Sequence, residues 1–351
     1  MTDKIVKIQV NARNRAYHFE GTSVDKILNL GLSSGVALPY ECGSGTCGTC
    51  KARLISGEIN DQWPEAPGHK YLKPQKGEFL MCQCAAETDI VVEVESFVQT
   101  MEAGACVPTD LQGRVHTAKL LTPDVIFLRI ELDKSIDFDA GQFMLVQFPE
   151  IEGFRGWSMV NYKRHTNTLE FVVKKKPGGA LSEWLFNNDC EGVEVELYGP
   201  LGSATFYSSL AKDILCIAGG SGIAGIMSIL SRALQDGYFT QYKGYVFFGV
   251  RTMKDTFFLR ELAAIRAESG DKLKIIIALS EDDASSTMQS DFKQLIFDRG
   301  YVHEVAGRHM EGHYQNIRAY LAGPPPVVNG SIGMLLRARV TTDNIRYDKF
   351  S

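Results

Sequence analysis

Three cysteines within nine residues constrain what this chain can fold into more than any other feature of its sequence. Cys42, Cys47 and Cys50 follow the pattern C-x4-C-x2-C, and glycines separate them. Thiolates this close together can face one centre only if the loop makes tight turns with positive φ, which glycine adopts without steric cost. The spacing is typical of a [2Fe–2S] cluster that takes its fourth cysteine from further along the chain.

Two later cysteines, Cys82 and Cys84, are candidates for that fourth ligand. They would share one face of a strand, so the spacing alone leaves both open. A zinc site is the alternative to a cluster, although zinc sites usually present C-x2-C pairs rather than this triple. We therefore expect an iron–sulfur cluster near the N-terminus.

Charge and hydropathy disfavour several classes of protein. The 351 residues include 42 acidic and 37 basic side chains, a formal charge of −5, which disfavours a nucleic-acid partner. The apolar runs are far shorter than the roughly 20 residues that cross a bilayer, and the N-terminus lacks the apolar segment of a signal peptide. We expect a cytoplasmic monomer without a membrane span, whose cysteines are ligands or thiols rather than disulfides.

Hydrophobic periodicity predicts three domains. Residues 1–97 form a small β-rich unit with the cysteine loop, and 98–111 are the predicted linker. Residues 112–208 show the short strands of an antiparallel barrel, whereas 209–351 alternate strands and helices as in a doubly wound α/β domain. The first unit has a predicted helix at 24–30, and the later predicted strands are 125–132, 141–148, 157–161, 169–174, 193–197, 214–218, 245–249, 274–279, 319–322 and 345–347.

Three short motifs follow one another in the predicted barrel: Arg155-Gly156-Trp157-Ser158, Lys176 to Ser182, and Gly199 to Gly202. In that order they resemble the flavin site of the ferredoxin–NADP reductase superfamily. The resemblance implies a multidomain α+β and α/β protein, with a β-grasp [2Fe–2S] ferredoxin, an antiparallel β-barrel FAD domain and a doubly wound parallel α/β NAD domain. The segment 80–83 resembles the fourth-ligand segment of oxygenase reductases, which implies that Cys82 is the ligand and Cys84 a buried neighbour.

The resemblance implies roles that these residue types can perform. Arg155 would pair with the FAD pyrophosphate, and the Ser158 hydroxyl would reach flavin N5. Trp157, which stands in place of the usual tyrosine, would stack on the isoalloxazine. The alternative is that Trp157 is only an aromatic residue of the barrel core. Glycine amides and the Ser182 hydroxyl would bind the phosphates at a helix start. The other predicted FAD contacts are Gly156, Lys176, Gly178, Gly179, Ala180, Leu181 and Ser182.

A glycine-rich loop at 219–225 opens the nucleotide domain. It contains G-x-G-x-x-G, but the second strand ends at Arg251 without the acidic residue that a dehydrogenase needs. The loop instead resembles the superfamily's G-G-x-G-x-A-P, with Gly225 in the place of proline. In the superfamily, a loop with the sequence C-G-P-P approaches the nicotinamide. The segment 322–325 resembles that loop, with Ala322 at the position of its cysteine. The predicted nucleotide contacts are Gly219, Gly220, Ser221, Gly222, Arg251, Glu281, Ala322, Gly323 and Pro324.

Two expectations concern the choice of nucleotide and the C-terminus. The third strand ends in Glu281-Asp282-Asp283, where three acids would repel a 2′-phosphate and one could accept a ribose hydroxyl, so we expect NADH. A solvated acidic turn is the alternative. Phe350 fits the C-terminal aromatic that relatives place over the flavin, although a terminal apolar residue often only packs. With Trp157 and Ser158, it completes the predicted catalytic residues.

The resemblance spans nearly the whole chain and is most specific at 39–68 and 300–312, which are similar to the reductases of toluene 4-monooxygenase and xylene monooxygenase. It implies an oxidoreductase that passes electrons from NADH through FAD and the cluster to an oxygenase component or an intermediary ferredoxin. The oxygenase would be a di-iron or Rieske enzyme of aromatic hydrocarbon catabolism. The alternatives are an iron–sulfur flavoenzyme of deoxysugar biosynthesis and a non-enzymatic cluster-binding adaptor.

Overall fold

The computed structural model describes residues 4–149, 151–282 and 290–349. Phe350 and Asp283, which carry two of the expectations above, lie outside the described residues. In the part of the chain that the structure describes, no helix is long and apolar enough to span a membrane.

The N-terminal unit is built on a five-stranded mixed sheet in the order β2-β1-β7-β3-β5, in which β1 and β7 are parallel. Val6, Ile8 and Val10 alternate along β1 and point into the core. A two-stranded sheet of β4 and β6 lies beside it. The elements are β1 (Ile5–Asn11), β2 (Ala16–Thr22), α1 (Ile27–Ser33), β3 (Lys51–Ser56), β4 (Ile59–Asp61), β5 (Glu78–Leu80), β6 (Cys84–Ala86) and β7 (Ile90–Glu93).

The predicted helix at 24–30 is wrong by three residues at each end, since α1 spans Ile27–Ser33. The chain turns before it. The Thr22 hydroxyl donates to the Asp25 carboxylate at 2.6 Å, and such a side-chain turn competes with helical hydrogen bonds.

The second unit is a six-stranded antiparallel, barrel-like sheet in the order β11-β10-β13-β8-β9-β12. Its first strand begins inside the predicted linker. Hydrophobic periodicity does not predict this strand, because its sequence is mostly polar and few of its side chains are buried. The elements are β8 (Thr109–Thr122), β9 (Val125–Ile136), β10 (Phe143–Gln147), β11 (Arg155–Ser158), β12 (Thr166–Lys174), α2 (Ala180–Asn187) and β13 (Glu194–Leu201).

The third unit is a six-stranded parallel sheet in the order β17-β16-β15-β14-β18-β19, with helices on both faces. The strand order reverses between β14 and β18, and ligands of such sheets bind where it does. Its elements are β14 (Asp213–Gly219), α3 (Ile223–Gln235), β15 (Gly244–Val250), α4 (Leu259–Ser269), β16 (Leu273–Leu279), β17 (Ile296–Arg299), α5 (Val302–His309), β18 (Ile317–Gly323), α6 (Pro325–Arg337) and β19 (Ile345–Lys349).

Apolar cores join the three units. One core contains barrel residues together with residues of α3, β14 and β15. A second contains the interior of the N-terminal unit together with four barrel residues, Phe143, Leu145, Tyr198 and Leu201. The predicted fold class is confirmed, and the barrel forms the centre of the molecule.

Candidate cofactor sites

The cysteine loop depends on its glycines for both conformation and space. Gly43, Gly45 and Gly48 have φ of +64°, +82° and +76°. A Cβ at Gly45 would lie 2.9 Å from the side-chain nitrogen of Gln83, and one at Gly48 would lie 2.8 Å from the ring of Tyr71. The predicted positive-φ turns are therefore present, and the loop packs too closely for larger residues at these two positions.

The four predicted ligands lie in two pairs. The Sγ atoms of Cys50 and Cys82 are 3.1 Å apart, and the Cys42 and Cys47 thiols are close enough that Cys47 lowers the pKa of Cys42. In a [2Fe–2S] cluster each of the two irons takes two protein ligands, so two thiol pairs fit this group. Two pairs of thiols, rather than four thiols around one point, are the arrangement that a two-iron cluster requires.

Nearby donors are placed to stabilise anionic sulfur. The Thr49 amide lies 3.4 Å from the Cys47 Sγ, and the Gln83 side-chain amide lies 3.3 Å from the Cys82 Sγ. Such hydrogen bonds tune the potential of a metal centre. Cys82 and Cys84 are both buried, and burial raises the pKa of the Cys84 thiol to about 12. The Cys82 sulfur, which pairs with Cys50 and accepts from Gln83, fits the ligand position that the resemblance implied.

A cavity of about 550 Å³ lies between the three units, and we call it the central cavity. Every residue predicted to contact FAD between Arg155 and Ser182 lines it. The cysteine loop supplies Cys42, Ser44 and Thr46 to the same wall, and the nucleotide loop supplies Ser221. The structure therefore brings the predicted flavin residues and the predicted cluster loop to one place.

Arg155 enters the central cavity from the start of β11. Its Nη1 donates to the backbone carbonyls of Glu152 at 3.3 Å and Phe154 at 3.1 Å. Its guanidinium carbon lies 5.5 Å from the ring centre of Trp63, which belongs to the N-terminal unit. Burial lowers the pKa of Arg155, which shows that the cation is partly desolvated. A pyrophosphate in the cavity would compensate that charge.

Trp157 belongs to the barrel core and also lines the cavity. Its ring centre is 5.9 Å from that of Phe148 and 5.8 Å from that of Phe171, and only 8% of the residue is exposed. Trp157 therefore packs in the barrel core and also borders the cavity, so its core position is compatible with stacking on a flavin. Stacking on the flavin stays a prediction.

The predicted phosphate donors are engaged inside the protein. The Ser182 hydroxyl lies 3.1 Å from the carbonyl of Lys176 and 3.0 Å from that of Gly179. The Gly178 amide donates to the Glu183 carboxylate at 2.8 Å, and the Gly179 amide to the Lys176 carbonyl at 2.9 Å. The first amides of α2 have no intrahelical partners, so phosphate binding by the amides of residues 180–182 stays a prediction.

Sequence reasoning missed Asp348, which lies on β19 and lines the central cavity. The Ser158 hydroxyl donates to its carboxylate at 3.0 Å. Burial raises the pKa of Asp348 to about 6, although the Ser158 hydrogen bond opposes that shift. The signal was available, because β19 neighbours β18 and ends at the edge of the sheet where ligands bind. The predicted hydroxyl of Ser158 thus already has a partner on the nucleotide domain.

The two nucleotide loops touch at the point where the strand order reverses. A Cβ on Gly222 would lie 2.5 Å from the Ala322 carbonyl oxygen, and one on Gly219 would lie 2.8 Å from Val327. A Cβ on Gly323 would lie 3.0 Å from the Gly219 carbonyl oxygen. Only glycine permits this approach, and Pro324 then precedes α6.

Arg251 and Glu281 lie at the ends of the adjacent strands β15 and β16. The Glu281 amide donates to the Arg251 carbonyl at 2.9 Å. The Arg251 guanidinium is 3.7 Å from the Asp255 carboxylate and 4.0 Å from that of Asp124. Both Arg251 and Glu281 are exposed, so the structure leaves a nucleotide contact and a solvated acidic turn both open.

Family models match three consecutive parts of the chain. A 2Fe-2S iron–sulfur cluster binding domain matches residues 10–87. An oxidoreductase FAD-binding domain matches residues 112–206, and an oxidoreductase NAD-binding domain matches residues 216–331. The predicted cofactor set of [2Fe–2S], FAD and a nicotinamide nucleotide is confirmed.

Two curated relatives align over most of the chain. The ferredoxin–NAD(P)+ reductase CarAd of Metapseudomonas resinovorans is 33% identical, and the alignment covers 91% of this chain and 92% of the relative. The xylene/toluene monooxygenase electron transfer component XylA of Pseudomonas putida is 31% identical, over 97% of this chain and 93% of the relative. A solved structure, the ferredoxin reductase in carbazole 1,9a-dioxygenase, has a TM-score of 0.82 at 30% identity and covers 99% of both chains.

Proposed function

This chain belongs to the family of ferredoxin–NAD(P)+ reductases that serve as electron-transfer components of oxygenase systems, and from that premise we propose that it carries electrons from NADH through FAD and a [2Fe–2S] cluster to a partner protein. One observation carries the proposal. The central cavity is lined by Cys42 of the cluster loop, by Trp157 of the barrel and by Ser221 of the nucleotide loop.

The residues of the chain would hold the cofactors in fixed positions. FAD, when bound, takes two electrons from a nicotinamide and releases them one at a time, which suits a one-electron cluster. Arg155 and the first turn of α2 provide positive charge and amide donors for the pyrophosphate. Trp157 presents a ring held by Phe148 and Phe171. The close glycine loops around Gly222 and Gly323 would let the backbone approach a bound nicotinamide.

Ser158 and Asp348 place a proton beside the flavin site. The hydroxyl donates to the carboxylate at 3.0 Å, so one proton is held between the barrel and the nucleotide domain. Because the pKa of Asp348 is raised to about 6, the carboxyl can exchange a proton near neutral pH. This pair supports a site in which proton and electron movements are linked.

The preference for NADH rests on Glu281. We expect Glu281→Arg to raise the ratio of kcat/KM for NADPH to that for NADH at least about tenfold, which corresponds to roughly 1.4 kcal/mol. Glu261→Arg makes the same charge change on the exposed surface of α4 and should leave the ratio unchanged. Equal ratios in both variants would identify Glu281 as a solvated acid and remove the support for NADH.

The names of the relatives support an oxygenase partner. They include electron-transfer or reductase components of xylene/toluene monooxygenase and of phenol 2-monooxygenase. We therefore propose that the acceptor is an oxygenase component or a ferredoxin of an aromatic hydrocarbon system, rather than a deoxysugar enzyme. The shared central cavity also favours a reductase over a cluster-binding adaptor.

We further propose a cytoplasmic monomer. All eight cysteines are free thiols, as expected in a reducing compartment. The cavity draws its lining from the three units of one chain, so a second copy is not needed to complete the site.

An anaerobic titration tests the proposal. The purified protein should contain about two irons and one FAD, since the four thiols can hold one cluster and the central cavity one flavin. NADH should bleach the flavin and cluster absorbance, and NADPH should do so much more slowly. Bleaching at equal rates by the two nucleotides would contradict the choice of NADH, and a chain that binds no FAD would contradict the proposed function.

A further inference from the structure

Residues 151–155, a loop segment that ends in the first residue of β11, contact the N-terminal ferredoxin domain through two cations and two rings. Arg155 of the barrel lies over the ring of Trp63 at 5.5 Å. Lys26 of the ferredoxin domain lies over the ring of Phe154 at 5.0 Å. Each domain thus contributes one cation and one ring to the same contact. The residue expected to bind the FAD pyrophosphate is one of the four.

The backbone of this loop fits closely against Trp63. Gly153 has φ of +77°, and a Cβ there would lie 3.1 Å from the Trp63 ring and 3.2 Å from the Arg155 guanidinium. Any larger residue would therefore press between the ring and the cation. The loop conformation that carries Arg155 is shaped by a side chain of the other domain.

Trp63 itself is held by its own domain. Its amide donates to the Asp61 carboxylate at 3.1 Å, and its carbonyl accepts from the Ala66 amide at 3.0 Å. Its ring packs against the ferredoxin core and also lines the central cavity with Arg155. A fixed ring can orient a mobile guanidinium, and tryptophan offers the strongest aromatic face for a cation.

Arg155 needs such a support because its other partners are neutral. Among the described residues its guanidinium donates to the carbonyls of Glu152 and Phe154 rather than to a carboxylate. It is therefore a partly desolvated cation that keeps its charge for an anion in the cavity. Its plane is set by two carbonyls on the barrel and by the Trp63 ring on the ferredoxin domain.

We propose that Trp63 is a positioning residue of the flavin site, so that docking of the ferredoxin domain completes the site and FAD binding in turn stabilises the docked domain. The coupling is reciprocal, because each event must favour the other by the same factor. The inference rests on the proposed function in one respect, namely that the FAD pyrophosphate binds beside Arg155.

The first test measures FAD affinity in the full chain, with the cluster intact and FAD removed. Binding is followed by the quenching of flavin fluorescence. Trp63→Leu removes the ring and should weaken FAD binding about threefold to thirtyfold, the range of a cation–ring contact. Trp63→Phe keeps a ring and should recover most of that loss. Phe97→Ala, a change at a residue of the same domain that is 73% exposed, is the control and should bind as the wild type.

Arg155→Ala separates this inference from the proposed function. If Arg155→Ala loses FAD affinity and Trp63→Leu does not, the role of Trp63 is overturned while the proposed function stands. If neither variant loses affinity, FAD does not bind beside Arg155 and the placement of the flavin fails as well. Cluster absorbance equal to that of the wild type shows that each variant has folded.

The second test measures proteolysis, first in the wild type. The segment 102–105 between the ferredoxin domain and β8 is exposed and contains Glu102, a site for a glutamate-specific protease. FAD should slow cleavage there in the wild type, because it stabilises the docked domain. The same protection should be smaller in Trp63→Leu. Cleavage at equal rates with and without FAD in the wild type would overturn the coupling.

Discussion

The two interfaces of the barrel are built differently. Against the nucleotide domain the barrel uses a buried ion pair, in which the Arg232 guanidinium lies 2.9 Å from the Asp139 carboxylate. Arg232 also donates to the carbonyl of Phe206 at 2.8 Å, and the Tyr207 hydroxyl donates to Asp139 at 2.9 Å. The ion pair is thereby surrounded by further hydrogen bonds.

Against the ferredoxin domain the barrel uses neutral groups and rings. The Tyr198 hydroxyl donates to the carbonyl of Asn29 at 2.9 Å, and the Gly202 amide donates to the Tyr40 hydroxyl at 2.9 Å. Burial raises the pKa of Tyr40 to about 12, so its hydroxyl stays neutral. The charged contacts of this interface, at Arg155 and Lys26, are made to rings.

This difference indicates which part of the molecule can respond to a ligand. A buried ion pair is costly to open, since each partner would be left as an unpaired charge. Neutral hydrogen bonds contribute about 1 kcal/mol each, and they can be broken one at a time. We infer that the barrel and the nucleotide domain act as one unit, and that the ferredoxin contact is the adjustable one.

The largest expected effect comes from the ion pair. Arg232→Ala leaves Asp139 buried without its partner and should lower the free energy of unfolding by about 3–5 kcal/mol. Denaturant unfolding followed by flavin fluorescence measures this loss. Arg308→Ala removes an exposed ion pair to Asp298 and should cost less than about 1 kcal/mol. Equal costs for the two variants would remove the distinction between the interfaces.

A matched pair of tyrosines compares the interfaces directly. Tyr198→Phe removes the hydrogen bond to Asn29 and should destabilise the ferredoxin contact by about 1–2 kcal/mol, seen as earlier loss of cluster absorbance on heating. Tyr320→Phe removes a 3.3 Å bond to the Thr205 carbonyl at the other interface. It should affect flavin release and leave the cluster transition unchanged. Identical effects on both signals would mean that the two interfaces open together.

A third effect, which depends on pH, concerns Asp348, which lies where both interfaces meet the cavity. Its pKa of about 6 in the folded chain exceeds the usual 3.8, so folding favours the protonated carboxyl. The contribution of the protonated Asp348 carboxyl to the free energy of unfolding is present at low pH and is lost as the pH rises through about 6. Asp348→Asn stays neutral, so its melting temperature relative to the wild type should rise between about pH 4 and pH 7, with FAD removed. Parallel curves would contradict the raised pKa.

The features that could be predicted from the sequence are those that depend on residue spacing and on hydrophobic periodicity. The cysteine pattern, the glycine loops and the alternation of strands and helices predicted the cofactors and the fold class, and the flavin-site motifs predicted the residues between Arg155 and Ser182 that line the central cavity. Such features are local, and a few residues of chain determine them.

What the sequence did not show depends on tertiary contacts. The polar strand β8 has no apolar alternation and forms because its neighbours pair with it. Asp348 lines the central cavity only because β19 reaches Ser158, 190 positions away. In the sequence, Trp63 is an aromatic residue without a recognisable role, and only the fold shows that Arg155 lies over its ring. In each case the partner is distant in sequence, so no short window contains the signal.

The cluster loop and the flavin residues share one cavity within a single chain. The most direct test of this arrangement mixes the holoprotein, at several concentrations, with saturating NADH under anaerobic conditions and follows the cluster signal. We predict reduction of the cluster without any partner protein, at a first-order rate that does not depend on protein concentration. A cluster that stays oxidised while the flavin bleaches, or a rate that rises with protein concentration, would contradict transfer within the chain.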